Sequence, residues 1–470
     1  MDDNELNQEN KRYKPSKYNF FFDAEDGTHL AFNALSGGFA KIEAQDYQEV
    51  QKILQEPNTC DLHIGRNKEL FQALVKGSFL IPENLDELAL LKFKNRKARF
   101  QDTVLSLTLC PTMNCNFRCI YCFESPPSER SIMSEAVQER IIKFVYNRTK
   151  DVSKILQIGW FGGEPLLSLP VIEKLTQELK KICTETHSKY EAYLTTNGYL
   201  MTDKIIRKFE ELSIKGVQVT IDGPPEIHNR YRPLKNGGET FNTVFNNLCR
   251  LVTSDIAKNL RYVNLRINFD ENNYERVGEV LDLFPSDLRP QLNVYFKSTF
   301  LPAKKWGKND HRTESYLCFK LNAPKLTMNL SKLAIKKGYN VSRFSRFGNS
   351  YFCPADVFEH FEIDSEGKVY KCNVSMEILP PVARIDEEGK CIFNSIQLTK
   401  WLCKDPFEDE NCLNCKALPF CMGGCTLAKI TSSGEGRGCL VESKSLEDAL
   451  ELFYLDYLNK INKMKGGDKK

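Results

Sequence analysis

Between Val104 and Phe296 the chain repeats one pattern. Short apolar, β-rich runs alternate with stretches of helical period: VLSLTL (104–109), ILQIGW (155–160), YEAYLT (190–195), GVQVTI (216–221), YVNLRINF (262–269) and QLNVYF (291–296). Among the helical stretches, Val137, Ile141, Phe144 and Val145 fall on one face. Six alternations of strand and helix predict an α/β fold with a parallel sheet, open or barrel-like. Active sites on such sheets lie at the carboxyl ends of the strands.

The flanks read differently. Residues 1–16 and the tail GGDKK are polar and expected to lack structure. NFFF (19–22) and THLAFN (28–33) flank Asp26-Gly27 and read as a hairpin, with FAKIE (39–43) as a third strand. A helix is expected from about Asp46, carrying Tyr47, Val50, Ile53 and Leu54, and a second one carries Leu70, Phe71, Leu74 and Val75. GSFLI (77–81) returns as a strand. Together these suggest a winged-helix-like unit over 17–91. KFKNRKAR (92–99) reads as part of a linker over 92–102, its charge either simply solvated or holding an acidic peptide. The alternating region is assigned 103–310. A cysteine-dense, loop-rich region follows over 311–442. Ser445 and Asp448 form a capping box for a last helix, within 443–470, that carries Leu452, Leu455, Tyr457 and Leu458.

Composition narrows the class. At 470 residues the chain exceeds one ordinary core, and 41% apolar content suffices to build several. Lys and Arg total 65 against 62 Asp and Glu, a balance that argues against a dedicated nucleic-acid binder or a polybasic membrane surface. No apolar run approaches the roughly 20 residues of a membrane span, and MDDNELNQENKRYK lacks the apolar core of a secretion signal. A cytoplasmic protein is expected. Seventeen cysteines in such a protein point to metal ligation or catalysis rather than disulfides.

Three of them, Cys115, Cys119 and Cys122, form C-x3-C-x2-C just after the first apolar run. Thiolates are soft ligands suited to zinc and to iron–sulfur clusters. A [4Fe–4S] cubane usually takes four cysteines, so three leave one iron open to a small molecule. A zinc site completed from elsewhere, or chance clustering, is the alternative. The loop resembles the signature of radical S-adenosylmethionine (SAM) enzymes, and three further stretches match that family in order. GWFGGEP (159–165) resembles its GGE motif; the resemblance implies that Gly162, Gly163 and Glu164 hold the SAM amino group. TTNG (195–198), with Thr196 and Asn197, sits where the family contacts the ribose and methionine moieties. IDGPPEIHNRYRP (221–233) is similar to its "DG…H…R" stretch, which implies that Arg232 pairs with the SAM carboxylate; His228 belongs to the same motif. Tyr121 matches the aromatic that lies by the adenine.

The C-terminal pattern Cys353-x13-Gly367-x4-Cys372, Cys412-x2-Cys415-x5-Cys421-x3-Cys425 and Cys439 resembles the SPASM extension of that family. A partial (β/α)6 barrel and two auxiliary [4Fe–4S] clusters are thereby implied, three clusters in all. Cys412, Cys415, Cys421 and Cys439 would bind one. Cys353, Cys372 and Cys425 would bind the other, with Cys318 as fourth ligand or an open site for a substrate thiolate. Cys60, Cys110, Cys183, Cys249, Cys391 and Cys403 read as buried or incidental thiols.

The N-terminal unit resembles the leader-peptide recognition element of ribosomal-peptide maturases, which captures a peptide by strand addition. The family's activity would then be reductive cleavage of SAM to a 5′-deoxyadenosyl radical, supplied with electrons by a flavodoxin- or ferredoxin-type donor. The radical would install a thioether or carbon–carbon cross-link in a precursor peptide. Three rivals stand beside it. One is a sulfatase-type maturase making formylglycine, which places an aspartate directly after the second SPASM cysteine, where this chain has Asn373. The others are a non-catalytic peptide-binding partner with structural clusters and a zinc-binding adaptor.

Overall fold

The computed structural model describes residues 12–59, 65–122, 124, 132–299, 323–341, 353–431, 447, 450–459 and 461. Cys60, Cys318, Cys439 and the capping pair Ser445 and Asp448 lie outside these residues. The chain forms two compact units. Unit 1 comprises Met1–Phe100, Phe344–Cys353 and Lys404–Tyr454; unit 2 comprises Gln101–Arg343, Pro354–Cys403 and Leu455–Lys470.

In unit 1, β1 (Tyr13–Pro15) pairs antiparallel with β5 (Leu80–Pro82), and β2 (Asn19–Asp23), β3 (His29–Asn33) and β4 (Phe39–Ile42) form an antiparallel meander. The hairpin turns at Gly27, whose φ of +79° is the left-handed conformation that glycine supplies freely. Helices α1 (Tyr47–Gln55), α2 (Gly65–Lys76) and α3 (Glu87–Arg99) follow. Alternation along β3 separates two cores. Ala31 packs with Val50 and Ile53 of α1 and Phe71 and Leu74 of α2. Phe32 packs with Tyr18, Leu91 of α3, Phe407, Leu418 and Met422 from the cysteine-rich segment, and Leu450 beyond it. The N-terminal sheet and that segment therefore share a core, which the linear partition did not anticipate.

The stretch expected as a linker is instead the last turns of α3. Leu91, Asn95 and Arg99 are buried and spaced four apart, so they fall on one helical face. Arg99 Nη1 donates to the Lys404 carbonyl at 3.1 Å, and Asp86 caps the helix by accepting from Ala89 N. Charge along the surface hid this buried face. Residues 450–459 are helical, with Leu450 and Leu452 buried and Tyr457 exposed.

Unit 2 holds the six expected strands: β6 (Val104–Leu109), β7 (Ile155–Trp160), β8 (Lys189–Thr196), β9 (Ile214–Thr220), β10 (Tyr262–Phe269) and β11 (Leu292–Ser298). They run parallel and pair in chain order, with β12 (Asn340–Val341) beyond β11. Helices α4 (Glu135–Thr149), α5 (Leu169–Glu185), α6 (Asp203–Arg207), α7 (Pro225–Tyr231) and α8 (Phe241–Thr253) connect them. On the other side of β6 lies β13 (His360–Ile363), also parallel, then antiparallel β14 (Lys368–Tyr370), β15 (Ala383–Ile385) and β16 (Cys391–Phe393). The region after residue 310 reads as loop-rich; within it, β12 to β16 instead extend the barrel sheet.

The two sheet faces differ. Leu105, Leu107, Leu109, Leu156, Ile158 and Trp160 are fully buried toward the helices, while Ser106, Thr108 and Gln157 point to the other, half-buried inner face. A parallel sheet covered on both sides would carry apolar residues on both. This one keeps a polar interior.

Candidate active site at the carboxyl edge of the sheet

Four parallel strands, β6 to β9, deliver the predicted residues to one edge. Leaving β6 at Leu109, the chain enters the three-cysteine loop, which backbone bonds fix on two sides. Arg118 N donates to Pro233 O at 2.8 Å, Ile120 N to Tyr231 O at 3.0 Å, and Lys235 N to Asn116 O at 2.7 Å. On the other side Gly163 N donates to Thr112 O at 3.2 Å, and Glu164 N to Asn114 O at 2.8 Å. A Cβ on Gly162 would meet Thr112 O at 2.3 Å, and one on Gly163 would meet Asn114 O at 2.2 Å. The glycine pair does allow a close backbone approach, and the approaching backbone is the one that leads into the cysteines.

Glu164 follows the pair and is fully buried. Its carboxylate accepts from Leu166 N at 3.1 Å, Thr196 Oγ1 at 2.7 Å and Asn197 N at 2.7 Å. Burial raises its pKa, opposed by these donors. The side chain thus joins the ends of β7 and β8, and its oxygens face donors of this chain. Asn197 Nδ2 in turn donates to Asn116 Oδ1 at 2.7 Å and lies 3.9 Å from the Cys115 sulfur. Asn197 is thus brought to the cysteine loop, and Thr196 to Glu164 beside it.

The third junction centres on Tyr121, between the last two cysteines. Its hydroxyl donates to Asp222 at the end of β9 and accepts from Arg232 Nη1 at 2.5 Å and Asn268 Nδ2 at 2.9 Å. Asp222 Oδ1 also accepts from Asn268 N at 2.9 Å. Asp222 and Arg232 are both buried, 3.9 Å apart, and the guanidinium lies over the Phe117 ring. Burial raises the Asp222 carboxyl pKa and Arg232 opposes the rise. For Arg232 itself burial acts downward, but the charges of Cys119, Tyr121 and Asp222 outweigh it and hold its pKa well above normal. His228 Nδ1 accepts from Asp222 N at 3.1 Å; burial, then Arg232, hold this imidazole well below its ordinary pKa. It is neutral, with its proton on Nε2.

These residues fit an iron–sulfur cluster with a ligand beside it. Cys115, Cys119 and Cys122 are free and half-buried. Burial pushes the Cys115 thiol up to about 12 and raises the other two, while the Arg232 charge favours the Cys115 and Cys119 thiolates. Three buried donors around the loop, Arg232 Nε, Asn116 Nδ2 and His228 Nε2, have no hydrogen-bond partner. Among the described residues no group of three His, Cys, Asp or Glu side chains is placed to hold a metal ion.

Of the remaining cysteines, Cys412, Cys421 and Cys425 are half-buried in unit 1 with the exposed Cys415, as is Cys353, whereas Cys372 lies in unit 2. Asp409 accepts from the backbone N of Asn411 and, at 3.4 Å, of Cys412. Cys110 is buried and packs behind Gly162; Cys183 is buried, and Cys403 is exposed. Two functional residues went unnamed at the sequence level. Asp222 stood inside a quoted motif. Asn268 is the next-to-last residue of β10, and the polar run Asp270–Asn273 directly after the strand was its signal.

Residues 109–284 match the model of the radical SAM superfamily. The chain is 22% identical over 447 residues to the radical SAM cyclopropyl synthase TigE of Paramaledivibacter caminithermalis, covering 87% of this chain and 89% of that one. It is 26% identical over 398 residues to the cysteine-type anaerobic sulfatase-maturating enzyme of Clostridium perfringens strain 13, covering 77% and 99%. The solved structure of native anSMEcpe with bound AdoMet and Cp18Cys peptide has the same fold, with a TM-score of 0.56 at 21% identity over 77% of this chain and 99% of that one. The chain thus carries a radical SAM domain over residues 109–284, and that domain implies a [4Fe–4S] cluster and SAM.

Proposed function

We propose that this enzyme modifies a ribosomally made precursor peptide, joining two of its positions by a thioether or a carbon–carbon bond. Cys115, Cys119 and Cys122 would hold the SAM-binding cluster, and Cys353, Cys372, Cys412, Cys415, Cys421, Cys425 and Cys439 two auxiliary clusters, with Cys318 or substrate as the remaining ligand. When bound, cluster and SAM supply a 5′-deoxyadenosyl radical that takes a hydrogen atom from an unactivated C–H. Arg232 and the backbone around Gly162–Glu164 would orient SAM, and Thr196, Asn197 and Tyr121 would border it. The protein's own part is placement at a polar barrel interior closed by the Glu164 and Asp222 junctions.

The observation that carries the peptide reading is β4, which pairs only with β3 among the described residues and so offers an edge to an added strand. TigE is named as a cyclopropyl synthase, which favours the carbon–carbon product. The sulfatase-maturing reading is supported by nearly full coverage of the C. perfringens enzyme. Against it stands Asn373, whose Oδ1 accepts from Val374 N at 2.8 Å and which offers no carboxylate base.

The test is coexpression of the full chain with the short peptide encoded beside its gene, followed by mass spectrometry. A loss of two hydrogens per link is expected; an unchanged mass defeats the reading. Iron near 12 per chain supports three cubanes, at about four irons each. Leader recognition is tested by removing the leader from the peptide, since deleting the N-terminal unit would also strip the shared core from Cys412 and Phe420. Equal turnover of the leaderless peptide would refute it.

A further inference from the structure

β13 lies parallel to β6 with His360 opposite Ser106 and Glu362 opposite Thr108. Phe361 points outward, its ring 5.7 Å from Phe144 of α4, so His360 and Glu362 share the inner face with Ser106 and Thr108. His360 Nδ1 is 3.1 Å from Ser106 Oγ, and its Nε2 is 3.3 Å from Glu362 Oε1. Each residue is 7% exposed, and Glu362 Oε2, wholly buried, has no hydrogen-bond partner. The nearby cations are engaged elsewhere. Arg148 and Lys154 pair with Glu359, and the Lys371 ammonium donates to the carbonyls of Val357, Phe358 and His360. The pair also sits close to the reactive edge, since Cys110 N donates to Ile363 O at 2.9 Å one residue beyond Glu362.

A buried carboxylate with a bare oxygen is costly and calls for an explanation. An imidazole–carboxylate pair on a polar barrel wall is an acid–base device. We propose that Glu362, oriented by His360, accepts the proton released when the substrate forms its new bond. This rests on the cross-linking reading above. That reaction removes two hydrogens. The first leaves as an atom, completing the C–H bond of 5′-deoxyadenosine. The substrate radical then bonds to the partner thiol sulfur or carbon, whose own bond to hydrogen breaks. That hydrogen leaves as a proton to Glu362 Oε2, and the surplus electron passes to an oxidised iron–sulfur centre. One hydrogen atom, one proton and one electron make up the two hydrogens lost. The 3.3 Å contact is long, as such contacts are before substrate closes on them.

The experiment uses the full, cluster-loaded chain and the peptide encoded beside its gene, and measures cross-linked peptide per 5′-deoxyadenosine. Glu362→Gln is expected to lower this ratio at least tenfold, His360→Gln to lower it less, and Glu362→Asp to restore part of it. Iron per chain and melting temperature report folding for each variant. A Glu362→Gln enzyme that cross-links with the wild-type ratio overturns the proposal. So does a loss of product that only follows a parallel loss of iron in both Gln variants, which would make the pair structural. A wild-type chain that makes 5′-deoxyadenosine and leaves the peptide mass unchanged sinks the cross-linking reading instead, and the proton-acceptor role with it.

Discussion

Replacing Gly163 by alanine tests whether the glycine pair sets the cysteine loop. The added Cβ would stand 2.2 Å from Asn114 O and 2.5 Å from both Asn114 C and Met113 O, against 3.4–4 Å for ordinary contact. All three obstacles are backbone, so no side chain can swing aside; the loop must retreat by about 1 Å. That retreat breaks the Gly163 N to Thr112 O and Glu164 N to Asn114 O bonds, costing about 1–3 kcal/mol for the two. A displacement of about 1 Å at a reacting centre lowers rates by about 100-fold. We therefore expect Gly163→Ala to cut 5′-deoxyadenosine formation with dithionite and SAM by about two orders of magnitude, while the intact cysteines still load iron. Gly237→Ala is the control. It sits at φ +84° with nothing within 4 Å, so it should cost about 1 kcal/mol of backbone strain and leave SAM cleavage alone. A Gly163→Ala enzyme within threefold of wild type would show that the approach of the two backbones does not position the site.

Three other outcomes follow from the same geometry. Asp222→Asn removes the carboxylate beside the buried Arg232 and should destabilise the chain by about 3–5 kcal/mol, read in thermal melting; loss of less than 1 kcal/mol would count against the network. His228 is held neutral by burial, so its stabilisation is present above its ordinary pKa of 6.5 and is lost as pH falls below it, at up to about 1.4 kcal/mol per unit; His228→Asn, whose amide oxygen can replace Nδ1, should flatten that slope in pH-dependent melting. Leu91→Ala, in the core shared by α3 and the cysteine-rich segment, should cost about 2–5 kcal/mol and lower the iron content, whereas Phe93→Ala, on the exposed side of the same helix, should change neither.

The sequence alone determined the six strands, α1, α2 and the cysteine sets, because periodicity and short spacings are local. Gly162–Glu164 and Arg232 were also legible, as motifs at strand ends. Tertiary structure decided what these residues touch. Glu164 turned its carboxylate onto Thr196 and Asn197, 32 and 33 residues away. Tyr121 met Asn268 across 147 residues. β13 reached the barrel with His360 beside Ser106, 254 residues apart. Leu91, Asn95 and Arg99 were hidden in a charged stretch because much of what that face buries against, Phe407 and Lys404 included, lies more than 300 residues later. Hydrogen bonds and apolar contacts between such distant segments impose no period on either, so no local pattern records them.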